Sequence, residues 1–387
     1  MLFYDFMDDN MKRIGQMNSE TVHTLNIETD FPSPQFAVQP LEAQIWRNGM
    51  LVRMPNHLGD AVMALPALKQ LRTIVPEGCG LYVLAPKNQD YLYRNLSIID
   101  GMILLEKTHS VWDKESFNKV RKMRFGAGVL FNNSLRDAIL MRLAGVRNLY
   151  GAAARGRSFL FARSFRFPPR PKGRPEKIHQ SNKLLAMVTA LGAAPWDGKM
   201  PEFSNEPPFD ELANTIAVLC AHPKLLTLAS GAAYGAAKRW PAENFRKVAE
   251  YWVSRGGVVA VLGSSSEAAI GDEVLAGVDP EKAFNLSGKT NLGDVMQLLR
   301  ASRLTVANDS GIMHLAAAMG TPGIAVFGPT DFTATGPVST KWRLMYDKVP
   351  CSPCFARTCP KQPLCDGICA ITPDMVIAEI IEMQGDK

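Results

Sequence analysis

Residues 304–331, LTVANDSGIMHLAAAMGTPGIAVFGPTD, read as strand, turn, helix, turn, strand, and that order commits this part of the chain to a parallel α/β layer. Leu304, Thr305, Val306 and Ala307 form an apolar run with β-branched members, long enough for one buried strand. Asn308, Asp309, Ser310 and Gly311 then supply helix-capping side chains and a residue tolerant of positive φ. Ile312, Leu315, Ala316 and Met319 share one helical face, and Gly320 with Pro322 stops the helix. The second strand spans residues 323–327 and leaves through Gly328, Pro329, Thr330 and Asp331. Parallel α/β sheets bind ligands outside the carboxyl ends of their strands, where helix N-terminal amides attract anions. One such loop is an ordinary cap. Two polar, glycine-bearing loops on one edge indicate a site.

The same rhythm runs through most of the 387 residues, a length that accommodates two domains with full cores. Strands are predicted at 49–54, 81–85 and 128–131, and again at 225–229 and 258–262. Helices are predicted at 61–72, 242–255, 292–301 and, last, 373–383. Residues 1–43, with Pro32, Pro34 and Pro40, read as an irregular extension. A proline-rich stretch from Pro195 to Pro208 separates a first domain, 44–205, from a second, 206–387. The expectation is two doubly wound α/β halves.

A hydrophobic share of 47% and a charged share of 21% describe a soluble globular chain. No apolar run approaches the ~18 residues of a membrane span, and the first residues lack the pattern of a secretory signal. A cytoplasmic protein is expected. The net charge of +6 is modest, yet Arg155, Arg157, Arg163, Arg166, Arg170, Lys172, Arg174 and Lys177 crowd one segment against Glu176 alone. Such a block is either a solvated loop or a contact for an anionic substrate or membrane surface. Nucleic acid is not expected, because no recognisable binding motif accompanies it. Five of the seven cysteines, Cys351, Cys354, Cys359, Cys365 and Cys369, lie near the end. The first four could hold a structural zinc or an iron–sulfur centre. A second Cys-x2-Cys pair is missing, so a reduced loop without metal is the favoured reading.

The loop after 225–229, SGAAYGAAKRWP, brings small residues that let backbone amides approach a ligand, with the Ser230 hydroxyl and Gly231 at its start. Lys238, expected on an exposed loop edge, adds charge. Together with Asp309, Ser310, Gly311, Gly328, Pro329 and Thr330 it reads as a diphosphate site. No Gly-x4-Gly-Lys-Ser/Thr and no Gly-x-Gly-x-x-Gly follows any strand, which removes the best support for ATP hydrolysis or nicotinamide chemistry. In the first half, Pro55-Asn56-His57-Leu58-Gly59-Asp60 leads from a strand into a helix. Asp60 there is either a capping carboxylate or a general base facing the cleft, kept ionised by the helix terminus. Asn56, His57, Arg163 and Arg166 are the residues assigned to an acceptor.

Three stretches in order, MPNHLGDAVMALPALKQLR, SGAAYGAAKRWP and NDSGIMHLAAAMGTPGIAVFGPTD, resemble glycosyltransferase family 9, the ADP-heptose:lipopolysaccharide heptosyltransferases. AAKRWP looks closest to the heptosyltransferase II branch. The resemblance covers the chain from about Gly49 onward. It implies a GT-B fold: two Rossmann-like domains facing each other across a cleft, acceptor on the first, nucleotide sugar on the second, with a final helix crossing back. It implies inverting transfer of heptose from ADP-heptose to the lipopolysaccharide inner core without a metal or other cofactor, at the periphery of the inner membrane. The family's catalytic aspartate falls on Asp60 and its phosphate-binding lysine on Lys238. Its Asp-Ser/Thr-Gly-x-x-His element falls on Asp309, Ser310, Gly311 and His314, and its Gly-Pro-Thr/Ser element on Gly328, Pro329 and Thr330. The cysteine-rich end belongs to only part of that family. Two other readings stand beside it: a GT-B-like nucleotide-sugar epimerase, and a non-catalytic nucleotide-sugar or metal-binding protein.

Overall fold

The apolar runs form strands buried along their whole length, as expected where helices cover both faces of a parallel sheet. A computed structural model describes residues 22–23, 35–106, 112–168, 178–204, 212–347, 349–360 and 366–385. In chain order the strands are β1 (Val22–His23), β2 (Met50–Arg53), β3 (Leu81–Pro86), β4 (Gly101–Leu105), β5 (Ala127–Leu130), β6 (Asn148–Ala152) and β7 (Arg163–Phe165). The second half adds β8 (Leu225–Ala229), β9 (Val258–Val261), β10 (Ala283–Asn285), β11 (Leu304–Asn308), β12 (Gly323–Val326) and β13 (Trp342–Met345). The helices that bear on the site are α1 (Leu58–Met63), α2 (Leu65–Arg72), α3 (Leu135–Leu143), α4 (Gln180–Ala190), α5 (Ala242–Ser254), α6 (Leu292–Ala301), α7 (Gly311–Ala318) and α8 (Pro373–Gln384).

The first sheet is ordered β4-β3-β2-β5-β6-β7, all parallel. The second is β1-β13-β12-β11-β8-β9-β10, parallel except for β1. Each half thus repeats one doubly wound order, in which the strand sequence reverses between its first and fourth strands. Ligands settle at that reversal, outside the carboxyl ends. In the first half it lies between β2 and β5, and in the second between β8 and β11.

Three expectations are revised. The single helix at 61–72 is two, because Pro66 lacks the N–H that a continuous helix needs; α1 ends at Ala64 and α2 begins there. The extension at 1–43 is not wholly irregular, since Val22–His23 pairs with the otherwise open edge strand β13. Residues 35–42 also dock on the first half: the Phe36 ring meets Phe165 and Phe167 edge-on, and Gln39 N donates to Ala190 O. The last helix packs on the second half itself: Val376 and Ile380 join a core cluster with α5 and β12, and Arg343 pairs with Glu379 and Glu382. The linker reaches Ser204, tied to Asn95, and its continuation at 205–211 lies outside the described residues.

The halves share a core. One apolar cluster runs from Met50, Ala61 and Leu92 to Leu299, Met313 and Leu315. Glycines allow the helix ends to meet: a Cβ on Gly59 would lie 2.7 Å from His314 Cδ2, and one on Gly311 3.0 Å from Leu58 Cβ. His179, the N-cap of α4, reaches across to Gly336 O at 3.0 Å. Among the described residues no helix is long and apolar enough to cross a membrane.

Candidate functional site

Three strand ends of the second half meet the start of α1. After β8, Ser230 is buried and its carbonyl accepts from Asn308 Nδ2 at 2.7 Å, while Asn308 Oδ1 accepts from Trp240 N at 3.0 Å. Asn308, the last residue of β11, thus clamps both ends of the Ser230–Trp240 loop. The next residue, Asp309, faces the other way. Its Oδ2 accepts from Lys238 Nζ at 2.5 Å and from Thr330 Oγ1 at 2.5 Å. Lys238 also lies over the Tyr234 ring, 4.8 Å from its centroid.

This geometry changes two expectations. Lys238 is not on an exposed edge; its side chain is only 12% accessible and is fixed before any ligand arrives. Asp309 is an acceptor already committed to Lys238 and Thr330, so in place of a free carboxylate it presents an ordered ammonium and hydroxyl. Ser310 caps α7, accepting from Met313 N, and Gly311 opens the first turn with its amides toward the same edge. Gly328 and Pro329 turn their carbonyls to the cysteine-bearing segment, Gly328 O accepting from Ser352 Oγ and Pro329 O from Phe355 N. Their part in the site is to place Thr330.

His314 is buried, and burial holds it down at about 4, against which Asp309 pushes up and Lys238 pushes down. At neutral pH it is an uncharged imidazole, suited to hydrogen bonding and not to ionic attraction.

The first half contributes Asp60, in the first turn of α1; the N-cap is His57, whose side chain makes no capping bond. Burial pushes the Asp60 carboxyl above its ordinary 3.8; His57 and Lys238 pull it back, and Asp309 pushes it up again. Burial thus opposes the ionised form that the helix terminus was expected to favour, and the net direction is upward. A carboxylate of raised pKa is a stronger base, provided the pH stays above it. The start of α1 meets the start of α7 at Gly59 and Gly311, which brings Asp60 of one half to the wall of the other that bears Asp309.

The acceptor residues divide. Asn56 Oδ1 accepts from Arg53 at 2.6 Å, and Arg53 is a buried cation paired with Asp137 at 2.9 Å, so Asn56 belongs to the frame that positions the loop before Asp60. His57 is exposed beside Asp60. Arg163, the first residue of the short outer strand β7 and level in register with Tyr150, Val129 and Val52, donates to Ala190 O at 2.8 Å and to Ala37 O. It fastens the residues before the first domain, its guanidinium held by those two carbonyls. Arg166 is exposed just past the carboxyl end of β7, separated from β2 by β5 and β6, hence by roughly 14 Å of sheet. Arg170, Lys172, Arg174 and Lys177 lie outside the described residues.

Sequence reasoning missed four residues. Glu267 closes a capping box with Ser264, and a Cβ on Gly231 would lie 2.1 Å from its carboxylate, so an acid stands at the mouth of the first donor loop. The Ser-x-x-Glu spacing was its signal. The Arg53–Asp137 pair was legible only as a charge within an apolar strand. His179 carried no signal.

Of the cysteines, Cys351 and Cys354 are exposed, Cys359 and Cys369 half-buried, and Cys365 lies outside the described residues. Among the described residues no group of three His, Cys, Asp or Glu side chains is placed to hold a metal ion.

Comparison with known proteins gives the same direction. Residues 115–365 match the family described as "Glycosyltransferase family 9 (heptosyltransferase)". The chain is 34% identical over 324 residues to lipooligosaccharide heptosyltransferase 2 of Campylobacter jejuni, covering 80% of this chain and 91% of that one. It is 32% identical over 316 residues to lipopolysaccharide heptosyltransferase 2 of Salmonella typhimurium, covering 76% and 87%. The solved E. coli ADP-heptose lps heptosyltransferase II superimposes with a TM-score of 0.70 at 22% identity, over 88% of this chain and all of that one, a likeness of fold.

Proposed function

The chain belongs to glycosyltransferase family 9, and from that membership we propose that it moves heptose from ADP-heptose onto the inner core of lipopolysaccharide with inversion at the anomeric carbon. The fold is GT-B, and the protein is a glycosyltransferase. The observation that carries the reading is the end-to-end meeting of α1, whose first turn bears Asp60, with α7, which begins just after Asp309 and its partners Lys238 and Thr330. One group withdraws a proton and the other receives a leaving diphosphate.

In this reading the acceptor hydroxyl sits beside Asp60 and gives up its proton as its oxygen bonds to the anomeric carbon. The sugar–phosphate bond breaks on the opposite face, through an oxocarbenium-like state. Negative charge then grows on the departing ADP. Lys238, the Thr330 hydroxyl and the first-turn amides of α7 are fixed before the reaction, so they stabilise that charge without reorganising. Neutral His314 lines the same wall. Reaction would take place at the cytoplasmic face of the inner membrane. The relatives do not favour an epimerase or a non-catalytic binding protein.

The direct test supplies ADP-heptose and a core acceptor lacking the heptose, with UDP-, GDP- and CMP-sugars as controls. Heptose should appear on the acceptor with the ADP donor alone. ADP-heptose consumed without any acceptor, or no product with it, would refute the reading.

Lys238→Ala is expected to weaken ADP binding by ~1.5–3 kcal/mol, the usual worth of a charged hydrogen bond, which is about ten- to a hundredfold. Because Lys238 neutralises buried Asp309, some loss of thermal stability should accompany it. Calorimetry showing wild-type ADP affinity would remove Lys238 from the donor site. Turnover is also expected to persist in excess EDTA, with circular dichroism followed alongside to detect unfolding. Activity lost from an intact fold and restored by Mg²⁺ would show that these groups do not suffice for the diphosphate.

A further inference from the structure

We propose that the outer face of α3, together with the turn at residues 155–160, is a docking surface for an anionic phospholipid bilayer, with apolar side chains entering the boundary between headgroups and acyl chains. The proposal rests on the reading above only in that its acceptor is membrane-borne. Most surface helices bury one apolar stripe, but α3 is apolar on two sides. Ala138 and Met141 point into the core, while Ile139 and Leu143 are 38% and 67% exposed. Phe159, beside this helix, is 78% exposed, more than any other large apolar side chain among the described residues. Half of the six exposed large hydrophobics thus gather in this one region. Exposed apolar patches of this kind mark interaction sites.

Phe159 is held outward by its surroundings. Arg157, fully buried, donates to Ala152 O at 3.1 Å, to Ser134 O at 3.3 Å and to Asn133 Oδ1 at 3.1 Å. Those bonds fasten the turn to the amino end of α3. Charge then selects the partner. Between residues 133 and 168 the sole carboxylate is Asp137, buried against Arg53, while Arg136, Arg142, Arg147, Arg155 and Arg166 are exposed. Aromatic and aliphatic tips ringed by arginines, with no exposed acid, fit an anionic lipid surface. The contact with an anionic membrane surface that the basic segment suggests thereby gains an apolar component. The face also adjoins the acceptor end of the cleft, since Asp137 in the first turn of α3 pairs with Arg53, which holds Asn56.

The test is co-sedimentation of the full chain with vesicles of phosphatidylethanolamine and phosphatidylglycerol, against vesicles of phosphatidylcholine. The wild type should bind the anionic vesicles, less so as salt rises, and the neutral ones at least about tenfold more weakly. The Leu143→Ser, Phe159→Ser double variant and, separately, Arg142→Glu should each lower that binding about tenfold or more, with unchanged melting temperature. Both should keep wild-type turnover on a water-soluble core oligosaccharide. Equal binding to neutral vesicles, binding unaltered by the variants, or loss of turnover on the soluble acceptor would each overturn the proposal. So would a shift from dimer to monomer in the double variant with vesicle binding unchanged, which would make the face a contact between copies. Vesicle binding by a protein that transfers no heptose would leave the docking face standing and fail only the proposed function.

Discussion

Asp60→Asn is expected to reduce heptose transfer by about 10²–10⁴-fold, the usual effect of removing a general base. The amide keeps the size of the carboxylate and the place in the first turn of α1, so fold and ADP affinity should stay close to wild type. The pH profile makes the test specific. A base works when unprotonated, so kcat/KM should rise with pH through the Asp60 pKa. Burial lifts that pKa above the ordinary 3.8, and the acid limb should therefore lie higher than for a solvent-exposed aspartate. In the Asn variant the limb should vanish from the residual rate. Near wild-type turnover with both substrates present would reduce Asp60 to a helix-terminal carboxylate.

The separation between what the sequence carried and what it did not follows the range of each interaction. Ser310, the turn after β11 and the strand–helix–strand order depend on neighbours a few residues away, so their chemistry was legible. The division of α1 from α2 had a local signal that the single helix predicted at 61–72 overlooked, because Pro66 removes a donor wherever it stands in a helix interior. The family motifs located Lys238 and Asp309. They did not reveal that one carboxylate orders both Lys238 and Thr330, because that depends on where three separate strand ends arrive. Arg163 shows the opposite failure. Its charge counted toward a basic segment, yet its guanidinium is taken up by the carbonyls of Ala190 and Ala37. Composition records how many charges a segment has; the fold decides which groups they meet.

The pairing of the two halves has a further consequence for Asp60. Its carboxyl is coupled to Lys238 only while α1 and α7 stay end to end, and the glycines at 59 and 311 make that approach sterically possible. Whatever loosens the interface should therefore weaken the coupling between base and leaving-group site before it disturbs either half alone.

Acid is the expected way to loosen it. His179 and His314 both lie at the junction, and burial lowers each from 6.5 to about 4. In His179, Nδ1 accepts from Ser181 N and Nε2 faces Gly336 O, an arrangement that the neutral Nε2–H tautomer satisfies and a second proton would disrupt. In His314, a new proton would appear beside Lys238. The folded-state pKa lies below the unfolded one, so between pH 6.5 and 4 the unfolded chain binds more protons. Stability is thus retained above about pH 6.5 and falls as the pH drops toward 4, by roughly 3 kcal/mol for each histidine over the full interval. Denaturant titrations at pH 7.5, 6, 5 and 4 measure this slope. His179→Asn keeps an acceptor for Ser181 N, and His314→Asn keeps a neutral polar group; the double variant should lose markedly less stability on acidification, even where it is weaker at neutral pH. Equal slopes in wild type and double variant would mean that these imidazoles do not hold the junction closed.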